Sequence, residues 1–128
     1  MSWKTSSPPK VKRQRPEQAL QRQVMQWLDF CLPPDAFAFA VPNAARRGLV
    51  DGAWMKATGM RAGVPDLVII HRGKAVFVEL KAGRGKLTVA QELMHERLTL
   101  CGAIVATFNS FDTVCEFVRS IIPTREAA

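Results

Sequence analysis

Three side chains carry the chemistry this sequence can offer: Asp66, Glu79 and Lys81. Asp66 precedes the apolar, β-branched-rich run Leu67-Val68-Ile69-Ile70. Glu79 ends a second such run, Ala75-Val76-Phe77-Val78, and His71-Arg72-Gly73-Lys74 lies between them as a polar turn. A hairpin centred on Arg72 and Gly73 pairs Val68 with Phe77, Ile70 with Ala75 and Asp66 with Glu79. Opposed residues share a sheet face with Cβ atoms about 4.5–5.5 Å apart. Lys81, two residues on, points to the same face about 7 Å further along. Two carboxylates held this way repel and call for a positive charge between them. A hard divalent cation suits an all-oxygen site, with the ammonium of Lys81 beside the reacting atoms. The alternative is a cross-strand salt-bridge cluster, in which Glu79 pairs with Lys81 and Asp66 remains as excess negative charge.

Pro65-Asp66 followed at this spacing by Glu79-Leu80-Lys81 resembles the PD-(D/E)xK nuclease signature. The longer pattern, Gly63-Val64-Pro65-Asp66-Leu67, Glu79-Leu80-Lys81 and Lys86-Leu87-Thr88-Val89-Ala90-Gln91, resembles the VRR-Nuc family of virus-type replication-repair nucleases over roughly Glu17 to Phe108. The resemblance implies metal-dependent hydrolysis of phosphodiesters in DNA, on branched or structured substrates such as Holliday junctions or flaps. Mg²⁺ or Mn²⁺ would be held by Asp66, Glu79 and the backbone carbonyl of Leu80. Lys81 would orient the attacking water or offset charge on the phosphorane. The resemblance also implies active-site roles for Glu17 on the first helix and for Gln91. Small stand-alone relatives act as homodimers. A rival reading is a non-catalytic nucleic-acid-binding module on the same fold, or a nuclease subunit active only with a partner.

Charge agrees with a phosphate-rich partner. The net charge is +7, and it is unevenly placed. Residues 1–15 hold Lys4, Lys10, Lys12, Arg13 and Arg15 with no acid. Between 46 and 86 lie nine basic residues against Asp51, Asp66 and Glu79. Arg61, Arg84 and Lys86 are the candidates for holding phosphates that flank the scissile bond, and the family resemblance implies that Asn43, Arg46 and Arg47, in the loop after the first strand, touch the substrate; Asn43 could equally make an Asx turn. No apolar stretch approaches a membrane span and the N-terminus lacks a signal-peptide core, so a cytosolic protein is expected. Cys31, Cys101 and Cys115 fit neither a disulfide framework nor a zinc site and are expected in the core as thiols.

The elements that must position these groups follow from periodicity and breakers. Residues 1–15 read as a flexible basic arm, 16–123 as one nuclease-like domain and 124–128 as a frayed tail. Pro16-Glu17 opens a helix that buries Leu20, Val24, Trp27, Leu28 and Cys31 and ends at Pro33-Pro34. Phe37 to Val41 is a strand. A short helix is suggested around Ala53-Trp54-Met55-Lys56-Ala57. Ala82-Gly83-Arg84-Gly85-Lys86-Leu87-Thr88 superficially resembles a phosphate-binding loop but fails its test, because Leu87 stands where Ser or Thr is required; no nucleotide cofactor is expected. Thr88 begins a helix with Ala90, Leu93, Met94, Leu98 and Cys101 inward, and Gln91 either completes a capping box or faces the site. His95 is a lone helix histidine with no second ligand in view. Ala103 to Phe108 is a strand, and Phe111 to Ile122 a final helix. The apolar faces of the hairpin predict an α/β fold with helices on both faces of the sheet. The order α-β-(α)-β-β-α-β-α is similar to that of the resembled superfamily, which implies a mixed central sheet and a PD-(D/E)xK (restriction-endonuclease-like) core.

Overall fold

The computed structural model describes residues 16–42 and 56–126. Within them the order is α1 (Pro16–Cys31), β1 (Ala36–Ala40), β2 (Leu67–His71), β3 (Lys74–Leu80), α2 (Val89–Leu100), β4 (Ile104–Phe108) and α3 (Phe111–Ile121). Lys56 and Ala57 are helical; the remainder of the helix suggested there lies outside the described residues. The four strands form one mixed sheet in the order β1-β2-β3-β4. The first three run antiparallel to their neighbours, whereas β4 is parallel to β3, the two being joined through α2.

The hairpin register is the one the turn chemistry predicts: Leu67 opposes Val78, Val68 opposes Phe77 and Ile70 opposes Ala75. Arg72 and Gly73 both have positive φ, 50° and 83°, as a two-residue turn matched to strand twist demands. Leu67, Ile69, Val76, Val78 and Leu80 therefore share one face. With Val24 and Leu28 of α1 and Val114 and Val118 of α3 they form the apolar core. Each fully buried aliphatic side chain here contributes roughly 1.5–3 kcal/mol. Asp66, Val68, Ile70, Phe77 and Glu79 occupy the opposite face, under α2.

Four expectations need correction. The inward side of α2 consists of Gln91, Met94, His95 and Leu98, all partly covered, while Leu93 is 61% exposed and Ala90 and Cys101 are also exposed. The helix is turned so that Gln91 meets Glu79, and that phase carries Leu93 outward. Cys101 is accordingly a surface thiol; only Cys31 and Cys115 are buried, and burial pushes the Cys31 thiol up to about 11. Residues 124–126 do not fray: the Arg125 N–H donates to the Cys31 carbonyl at 2.6 Å, and Arg119 makes a two-pronged contact with Glu126 at 2.7 and 2.8 Å. Finally, β1 begins one residue earlier than expected and ends at Ala40, while β4 begins one residue later, at Ile104.

Candidate active site

The antiparallel register continues one step beyond the strands. Val41 N–H donates to the Asp66 carbonyl at 2.8 Å, so Asp66 is fixed between β1 and β3. Across from it, the Asp66 N–H donates to Glu79 Oε2 at 3.2 Å, and the Leu80 N–H donates to Asp66 Oδ2 at 2.8 Å. Each carboxylate thus reaches across to the backbone of the other's strand. This exchange fixes both rotamers and holds the two acids face to face.

Glu79 is only 2% exposed, the single buried charged residue among those described. Its Oε1 accepts a 2.5 Å hydrogen bond from Gln91 Nε2, and the Lys81 ammonium stands 3.8 Å from the same oxygen. Burial first, and the neighbouring Asp66 charge second, push the Glu79 carboxyl up to about 8; Lys81 pulls the other way without offsetting them. A buried acid facing another acid is short of positive charge even with Lys81 in place. Two carboxylates of this kind form an all-oxygen donor set and fit a hard divalent cation, with Asp66 and Glu79 as the ligands and the backbone of Leu80 alongside. Among the described residues no three His, Cys, Asp or Glu side chains gather closely enough to hold an ion by themselves. Such an ion would keep water or substrate oxygens in its remaining positions.

Two features of the loop before β2 position this pair. Pro65 is fully buried. Gly63 has φ +82°, and a Cβ there would lie 2.3 Å from the Ala90 carbonyl oxygen. Only glycine lets this loop press against the first turn of α2, and that contact sets Gln91 over Glu79. Gln91 itself does both things the sequence left open. Its Oε1 accepts from the Thr88 N–H at 2.9 Å while Thr88 Oγ1 accepts from the Gln91 N–H at 3.2 Å, a complete capping box. Its amide nitrogen remains free to reach Glu79. One side chain serves as cap and as site residue because the amide has separate donor and acceptor ends.

Glu17, in the first turn of α1, is half-buried, and its Oε1 accepts from the Ala82 N–H at 3.4 Å. It reaches the chain just past Lys81. That segment turns tightly, with Gly83 at φ 54° and Gly85 N–H donating to the Ala82 carbonyl at 2.9 Å. The turn leaves Arg84 and Lys86 exposed next to the site in the chain, and Arg61 is exposed in the loop leading to Gly63. Asn43, Arg46 and Arg47 lie outside the described residues.

His95, read from the sequence as a lone helix histidine, lies on the inward side of α2 near Lys81 and Asp66. Its Nε2 is buried without a hydrogen-bond partner, and burial, with the nearby Lys81 charge, lowers its pKa; Asp66 pulls weakly in the other direction. The available signal was spacing, for His95 is four residues after Gln91 and so shares its helix face.

Comparison with known proteins agrees with this geometry. A comparison with curated proteins gave no match. Two solved structures share the fold. One, described as a VRR_NUC domain protein, has a TM-score of 0.59 at 23% identity, covering 80% of this chain and 84% of its own. The other, described as a VRR_NUC domain, has a TM-score of 0.57 at 24% identity, covering 83% of this chain and 97% of its own. The VRR-NUC domain family model matches residues 3–112. With the fold, the paired acids and that match in agreement, the chain belongs to the VRR-NUC family and is a nuclease-family domain.

Proposed function

We propose that this protein is a divalent-metal-dependent endonuclease that hydrolyses phosphodiester bonds in branched or structured DNA. The observation that carries the proposal is Glu79: a carboxyl 2% exposed, set against Asp66, with Lys81 and Gln91 both on its Oε1. A purely structural acid would not be buried against a like charge.

When bound, Mg²⁺ or Mn²⁺ would supply Lewis-acid polarisation of the phosphate and a more acidic water. The protein's own groups do the rest. Asp66 and Glu79 would hold the cation, with the backbone carbonyl of Leu80 beside them. Lys81, 12% exposed in its side chain, is placed to orient the attacking water or to balance charge developing on the phosphorane oxygens. Gln91 fixes the Glu79 rotamer, and Glu17 steadies the chain after Lys81 through Ala82. Arg61, Arg84 and Lys86 would grip flanking phosphates, which positions the substrate without reading its sequence. Asn43, Arg46, Arg47 and the basic arm of residues 1–15 would add to that grip. A homodimer would present two sites to a branched substrate.

The test is a panel of labelled four-way junctions, flaps, single strands and duplexes, incubated with Mg²⁺ or Mn²⁺ and either wild-type or Asp66→Ala protein. Cleavage by wild type alone is expected. Wild-type protein that binds the panel but cuts none of it with either metal would reduce the assignment to a binding module. Sedimentation as a monomer at working concentration would remove junction resolution.

A further inference from the structure

Among the described residues, the sheet face that carries the paired acids is only half covered. α2 lies over β3 and β4, whereas the β1 side of the same face presents two large aromatic rings to solvent. Phe37 is 69% exposed and Phe39 41% exposed, on a strand that alternates them with Ala36, Ala38 and Ala40. The register places them. Phe39 opposes Val68 and Phe37 opposes Ile70, while Val41 is bonded to Asp66. Phe39 is therefore the diagonal neighbour of Asp66 on one face, a relation in which residues lie about 7–8 Å apart. The two rings are 6.2 Å apart at 32° to each other, spaced along the strand rather than stacked on one another. Past Phe37 the strands end at the β2–β3 turn, where Arg72 is exposed and approaches Asp35 at 3.9 Å. Lys74 is exposed beside it.

Along this face, from the acids to the turn, the chain thus offers a cation-binding pair, two π-faces in succession, and a guanidinium about 20 Å from Asp66 at the strand rise. An apolar edge strand with no charge or proline of its own is normally covered. Here Lys81 stands at one end, beside Glu79, and Arg72 at the other, beside Asp35. Aromatic rings flanked by cations match a chain of bases on a phosphate backbone.

We propose that Phe39 and Phe37, leading from the Asp66–Glu79 pair toward Arg72, form a stacking platform for an unpaired stretch of nucleic acid, so that the substrate carries a single-stranded segment at the site of cleavage. This rests on the nuclease reading above and narrows its substrate to flaps, open ends or melted junction arms. The bases next to the scissile phosphate leave the duplex and lie on Phe39 and then Phe37. Arg72 holds the backbone beyond them. Stacking of this kind tolerates any base sequence.

The test uses the full chain in EDTA, so that binding is read without cleavage. The probes are a labelled oligothymidine of about 12 nucleotides and a duplex of equal length, matched to the range of single-strand site sizes. Phe39→Ala is expected to weaken single-strand binding by roughly tenfold and Phe37→Ala/Phe39→Ala by more. Phe39→Trp should retain affinity with quenching of its fluorescence by the bound strand, and duplex affinity should be nearly constant throughout. Unchanged single-strand affinity in the double variant overturns the proposal. So does an equal loss on both probes. A change in sedimenting species with single-strand affinity unchanged also overturns it, assigning the rings to a second copy of the chain instead. The two readings separate cleanly: Asp66→Ala should lose cleavage yet keep single-strand binding. If wild type cuts nothing while the phenylalanine variants still lose single-strand affinity, the nuclease reading falls and the platform stands.

Discussion

The two faces of the sheet are built by opposite rules. On one, Leu67, Ile69, Val76, Val78 and Leu80 meet Val24 and Leu28 of α1 and Val114 and Val118 of α3, and every one of these side chains is buried. On the other, α2 contributes no fully buried residue at all, and the contacts that hold it include Gln91 on Glu79 and the first turn against Gly63. The first face is closed by dispersion and the hydrophobic effect. The second is held by polar contacts around a buried acid pair and, among the described residues, is left open along β1. Because strand side chains alternate, one hairpin serves both: each residue that stabilises the fold is followed by one that shapes the site. The difference teaches that stability and chemistry are separable here, residue by residue, along β2 and β3.

The strongest way to break this comparison is to cross it. Asp66→Asn keeps size and the oxygen that accepts from the Leu80 N–H but removes the charge that would hold a cation. It is expected to lower metal-dependent cleavage by at least about a hundredfold while leaving thermal stability nearly unchanged. Leu28→Ala, on the closed face, should do the reverse. It should cost about 2–5 kcal/mol in denaturant unfolding, with cleavage per folded molecule unchanged. Parallel losses of stability and activity in both variants would show that the faces are not independent.

Gly63→Ala tests the seam between them. Its φ of +82° disfavours any side chain, and the added Cβ would press on the Ala90 carbonyl. Backbone strain alone is worth about 1–3 kcal/mol, and the overlap adds to it. Because the loop must back away from α2, cleavage should fall further than stability does, and Gln91 should lose its hold on Glu79. Chemical denaturation and single-turnover rates on the same variant check both halves.

A smaller effect comes from pH. The Glu79 carboxyl sits at about 8 in the folded, metal-free protein, against an ordinary value of 4.5. Its folded form therefore holds a proton that the unfolded form releases. The resulting stabilisation is complete below about pH 4.5 and is lost as pH rises toward 8. Metal-free protein should thus melt at progressively lower temperature between pH 5 and pH 8. Glu79→Gln should flatten that slope. Mg²⁺ should raise the melting temperature more at pH 8 than at pH 6, because at the lower pH it must displace the proton.

Much of this was legible in the sequence, for physical reasons. β-branched runs on either side of Arg72-Gly73 allow one hairpin register, and a slip of one residue would have turned one of the two acids to the core face. Helices α1 and α3 announce themselves by stripes that a deep core requires: Val24, Leu28 and Cys31 in one, Val114, Cys115 and Val118 in the other. The phase of α2 was not legible. Its residues are apolar on more than one side, and its rotation is decided by Gln91 reaching Glu79 and by Gly63 packing on Ala90, contacts between segments far apart in the chain. The same ambiguity hid His95 and placed Cys101 inside. The docking of residues 124–126 rests on Arg119–Glu126 and on the Cys31 carbonyl, and a five-residue polar tail gives no periodic sign of either.

The finest cut separates the two jobs of Gln91. Thr88→Ala removes only the cap side chain, leaving the Gln91 N–H unpaired, and should cost about 1 kcal/mol of stability with little change in cleavage. Gln91→Ala removes the returning bond to Thr88 N–H and, in addition, the 2.5 Å contact to Glu79. Its stability loss should be similar, but its cleavage loss should be distinctly larger, because Glu79 is then free to swing from the position in which it faces Asp66. Gln91→Glu sharpens the point. It can still cap Thr88, and so should keep helix stability, but it sets a third negative charge against Glu79 and cannot donate to it. Activity that falls in Gln91→Glu while stability holds would assign Gln91 to the site as well as to the helix; activity equal to wild type would return it to capping alone.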